Sequence, residues 1–141
     1  MQNSDPVLTK HYLEKSDHFF DAMKLTADDM SSYWSAVGLL AVHSCISLND
    51  AITVAVTGKP NKNQDHGKAA DDLDAICGAV KVRDRRGVGH LRWLLSRKTD
   101  IAYGSKRLDS ETITSARDKA ERFYAWAYNN FREVLRATTD K

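Results

Sequence analysis

At 141 residues the chain has the size of one domain and can bury a core without disulfide or metal staples. Its 42% hydrophobic and 28% charged content is that of an ordinary globular protein, and seven glycines with two prolines exclude collagen-like or low-complexity chains. The net charge of +2 conceals an asymmetry. Nine basic residues between Lys81 and Arg107 oppose only Asp84 and Asp100, so this window carries +7 and the remainder −5.

The first helix is expected behind Ser4-Asp5, with Pro6 in its first turn, running to about Met23. Its apolar positions Leu8, Tyr12, Phe19, Phe20 and Met23 recur at helical spacing. Thr26 to Asp29 has the pattern of a capping box, which predicts a second helix from there to about Val56. Gly58 supplies a left-handed terminus and Pro60 forbids continuation. Asn63 can cap a third helix, from Gln64 to about Val80, with Ala69, Leu73, Ile76, Cys77 and Val80 as its stripe. Its carboxylates Asp71, Asp72 and Asp74 fall mostly elsewhere and read as a hydrated face.

Arg83 to Gly89 holds two glycines and no apolar rhythm, which predicts a break before a fourth helix from about Val88 to Tyr103. Gly104 ends that helix, and Asp109-Ser110-Glu111 opens the last one. There, Ile113, Ala116, Ala120, Phe123, Ala127, Phe131 and Val134 follow steps of three and four. No segment alternates with period two over a strand's length. The expected fold is therefore all-α, an antiparallel bundle of about five helices forming a single domain over residues 1–141. Trp34, Trp93, Phe123, Tyr124, Trp126, Tyr128 and Phe131 exceed what one core seam requires, and some are expected to face a partner subunit.

Ala36 to Val56 is nearly apolar throughout, but it carries His43, Asn49 and Asp50. One carboxylate near the centre of a membrane span costs about 2.5–3.5 kcal/mol, so a buried central helix is expected instead. The start MQNSDPVLTK lacks an apolar run after a basic one and does not read as a signal peptide. Cys45 and Cys77 sit inside helical patterns without metal-ligand spacing, and buried thiols in a cytoplasmic protein are expected. No Walker loop, dinucleotide fingerprint or nucleophile elbow occurs, and neither a cofactor nor a metal is expected.

Two helices place polar groups where the bundle calls for apolar ones. His43, Ser47, Asp50 and Val54 share one face of the second helix. On the fourth, Lys98 lies within the stripe of Leu91, Leu94, Leu95, Ile101 and Ala102. A buried lysine and a buried aspartate are each costly unless paired, so Asp50 and Lys98 are expected to approach each other. The alternative has Lys98 reaching water and Asp50 bonding locally.

The run from Ala41 to Asp50, Gln64-Asp65-His66, the run from Leu94 to Tyr103 and Ala120 to Trp126 together resemble HEPN domains, over nearly the whole chain. The resemblance implies a helical, often dimeric domain. Many such domains are metal-independent ribonucleases that use an arginine, four to six intervening residues and a histidine. A cation stabilises the charged phosphorus centre while an imidazole moves a proton.

Two placements of that motif are open. The literal one sets Arg83 or Arg85 before His90, within a basic stretch that includes Lys81, Arg86, Arg92 and Arg97. The positional one sets Lys98 and Tyr103 in the arginine and histidine slots, with Asp50, His43 and Ser47 on the facing helix. Tyrosine is a poor base at neutral pH, and lysine lacks arginine's planar fork. The positional match therefore implies a catalytically degenerate module binding nucleotide, RNA or protein, and the literal one a toxin-like ribonuclease. The resemblance further implies a homodimer and a nucleotidyltransferase-type partner, as in toxin–antitoxin pairs. The tyrosine such a partner would modify, two residues past the motif histidine, is replaced here by Ser105, or by Arg92 in the literal placement.

Overall fold

The computed structural model of the protein describes residues 5–29, 32–61, 66–103 and 109–139, and among them there are five helices and no strand. The helices are α1 (Pro6–Ala27), α2 (Trp34–Thr57), α3 (His66–Ala79), α4 (Arg86–Tyr103) and α5 (Ser110–Thr139). They form an all-α bundle in which α2 touches each of the other four.

Local chemistry sets most of the boundaries. The Asp5 side chain accepts the Leu8 amide at 3.0 Å, and Pro6 follows in the first turn. Gly58, at φ 83°, closes α2 by donating its amide to the Val54 carbonyl at 2.8 Å. Asp109 accepts the Thr112 amide at 2.8 Å and so opens α5. The end of α3 is closed by Lys81, a non-glycine residue at φ 64°. Around it the Val82 amide donates to the Cys77 carbonyl at 2.8 Å, and Val82 is buried, the geometry of a Schellman motif.

Two expected boundaries are corrected. Thr26 does not open α2. Its hydroxyl donates back to the Ala22 carbonyl at 2.8 Å inside α1, which continues to Ala27, and α2 begins only at Trp34. The expected break at Gly87 and Gly89 is in fact the first turn of α4, and the non-helical segment is 80–85. Gly87 is needed for packing: a Cβ there would lie 1.9 Å from the Trp126 ring.

α2 is long and apolar enough to cross a membrane, but 67% of its most apolar window is buried inside the bundle. Its core positions include Val37, Ala41, Leu48, Ile52 and Val54, all fully buried. Phe123 and Phe131 of α5 are fully buried, and Tyr124 and Trp126 nearly so. The surplus of aromatics is thus largely absorbed by the chain's own core, with each full burial stabilising by about 1.5–3 kcal/mol. Trp34, Trp93 and Tyr128 remain half-buried. Both cysteines are buried and free, and burial pushes the Cys45 thiol up to about 12.

Candidate functional site

The polar positions of α2 and α4 meet α1 in one place. His43 is half-buried, and desolvation, followed by the ammoniums of Lys98 on α4 and Lys15 on α1, holds its pKa below the ordinary value. Its ring lies 6.0 Å from that of Phe19. One turn and a further three residues along α2, Ser47 is buried and Asp50 half-buried. Burial pushes the Asp50 carboxyl up to about 6, with Lys15 as the charge that opposes it. Asp50 in turn raises the pKa of Tyr12 on α1, after the larger effect of burial there.

The expected Asp50–Lys98 ion pair does not form. No ion pair within 4.0 Å joins them among the described residues; Asp50 answers to Lys15, and Lys98 to His43. Lys98 is half-buried, as its place in the stripe implies, and its charge acts on His43. Lys15 escaped sequence reading because a lysine on a surface helix is unremarked. Its register, three residues after Tyr12 and four before Phe19, does put it on the helix face toward α2. The Tyr103 side chain lies outside the described residues, as do Lys106 and Arg107.

The basic stretch divides between helices. Arg85 bonds the Asp74 carboxylate of α3 at 2.7 Å and the Val82 carbonyl of the segment after α3 at 2.8 Å. Arg92 bonds Asp71 at 2.7 Å. The carboxylates of α3, expected as a hydrated face, thus hold two of the arginines. Arg86 is bonded twice by Asp84, whose carboxyl is held at about 2 mainly by that guanidinium. Arg97 sits 5.2 Å over the Trp93 ring, while Lys81 and Arg83 are exposed. His90 lines a pocket with residues of α5. Arg85 is thus bonded to Asp74 of α3, while His90 borders α5.

Comparison with family models, with curated proteins and with solved structures returned no match.

A second polar network lies between α1 and α5. The Tyr124 hydroxyl meets the Ser16 hydroxyl, which also donates to the Ser44 carbonyl at 3.0 Å, and reaches Asp17 at 3.3 Å. Phe20 stacks on Tyr124 with ring centroids 3.8 Å apart. Burial raises the pKa of Tyr124, so its phenol keeps its proton at neutral pH and the network fastens α1, α2 and α5 together. Among the described residues no cluster of three metal-ligating side chains exists.

Proposed function

We propose that this chain is a HEPN-like, catalytically degenerate binding domain that holds RNA through its phosphates where α1, α2 and α4 meet. The observation that carries the reading is the approach of two ammoniums, Lys15 and Lys98, from different helices to the imidazole of His43. Neither ammonium has a carboxylate within 4.0 Å among the described residues, and Asp50 attracts Lys15 only from beyond that distance, so both can replace counterions on a phosphate backbone. Lysines act here as point charges without the bidentate fork that grips a transition state. His43, held neutral by burial and by those same cations, adds a hydrogen bond without adding charge.

Binding of a labelled single-stranded RNA, followed by fluorescence anisotropy between about 50 and 200 mM salt, tests this. Affinity falls with salt, and Lys98→Ala or Lys15→Ala makes the log–log slope shallower by about 0.7 each. Absence of binding at the lowest salt rejects the proposal. RNA cleavage in chelator that disappears in His90→Ala replaces it with the ribonuclease reading.

A further inference from the structure

A pocket of about 300 Å³ opens between the start of α4 and the middle of α5, away from the cluster just described. Its walls are Asp84, Arg86, His90, Arg122, Trp126 and Asn129. Trp126 forms a rigid floor, because its indole N–H donates to the Asp84 carbonyl at 2.8 Å and its ring seats against Gly87. Arg122, Trp126 and Asn129 follow each other at steps of four and three on α5, so one helix face supplies a cation, a floor and an amide. Nothing in the local sequence of α5 marks this face as a site; it is recognised only once α4 is laid across it.

We propose that this pocket binds a phosphomonoester dianion, gripped by Arg122 and Arg86 with the His90 imidazole and the Asn129 amide beside it. Each guanidinium has donors to spare. Arg122 uses its Nε on Asp118 at 2.9 Å, and Arg86 uses Nε and Nη2 on Asp84, out of five N–H donors apiece. The charges acting on His90 are Arg86 from its own helix and Lys119, Arg122 and Asp118 from α5, with Asp84 beside it at the helix start. With neutral His90 these leave the pocket at +1, and with protonated His90 at +2, the match for a dianion.

Burial and the surrounding cations keep the imidazole uncharged in the free protein. A bound dianion offsets the cations, so binding draws one proton onto His90 and strengthens as pH falls, for a phosphomonoester down to its own second pKa of about 6, where the dianion is lost, and for sulfate below that as well. The site stands apart from the RNA reading: His90 and Lys98 are eight residues apart, about 12 Å along α4.

NMR titration of the His90 ring proton, assigned with His90→Gln, tests the proposal. Sulfate, a dianion at every pH used, is compared with chloride at equal ionic strength. Inorganic phosphate and adenosine monophosphate then separate a free from a nucleotide-borne phosphate, with adenosine as the uncharged control. The His90 midpoint rises by about one pH unit with sulfate and with either phosphate. It stays put with adenosine, and Arg122→Gln weakens binding about tenfold while Lys98→Ala leaves it unchanged. Adenosine monophosphate binding tighter than phosphate makes the nucleotide the source, and equal binding makes it free phosphate. A midpoint that responds no more to sulfate and phosphate than to chloride overturns the proposal, and so does a response undiminished in Arg122→Gln.

Discussion

Asp50 shows how burial and charge trade against each other at one side chain. Its carboxyl, pushed up to about 6 from an ordinary 3.8, binds its proton more tightly in the folded chain than in the unfolded one. The ionised form therefore costs stability above about pH 6, and that cost vanishes as pH falls below the unfolded value. Asp50→Asn removes the ionisable group while keeping its shape. We expect it to raise the thermal midpoint at pH 8 by the equivalent of about 1–3 kcal/mol, at 1.36 kcal/mol per pKa unit. The gain shrinks towards zero between pH 6 and pH 4. Melts of both proteins across that range check it; a gain that is the same at pH 4 and pH 8 would rule out the ionised carboxylate as its cause.

The meeting of α4 with α5 depends on one missing side chain. Gly87 lets the first turn of α4 lie against the Trp126 ring, whose nearest atom would be 1.9 Å from an added Cβ. Nothing stands within 4 Å of the corresponding position at Gly89. Gly87→Ala is expected to destabilise by about 3 kcal/mol through overpacking. Gly89→Ala, in the same turn, is expected to stabilise by about 0.5–1 kcal/mol through its higher helix propensity. Denaturant melts of the two variants read the difference, and equal effects would mean that Gly87 is not a packing residue.

Sequence alone revealed the features whose causes are local, and missed those whose causes lie on another helix. Asp5, Gly58 and Asp109 act within four residues of themselves, and each marks a helix end where the chain says it should. Gly87 reads as a helix breaker because its packing partner, Trp126, lies on the last helix. Thr26 matches a capping pattern, yet a threonine can equally bond its own preceding turn, as it does here. For the candidate site, His43 and Lys98 stood out as polar residues in apolar stripes, and the charge of Lys98 is felt at the His43 imidazole. Which charge faces which could not be read, because helical periodicity fixes a face but not the rotation and tilt between helices. That is why Asp50 faces Lys15 rather than Lys98, and why Arg122 escaped notice altogether.

The position of α2, in contact with α1, α3, α4 and α5 at once, has a kinetic consequence. Its central amides cannot meet solvent by the peeling away of any single neighbour, since the other three still cover it. In deuterated buffer, amides from Ala41 to Val54 should therefore exchange last, at the rate set by opening of the entire bundle. α3, which among the described residues packs its backbone only against α4 and α2, can detach alone and should label much sooner. Mass-resolved exchange would show two separated clocks, and a single shared rate for α2 and α3 would mean that the bundle opens only as one unit.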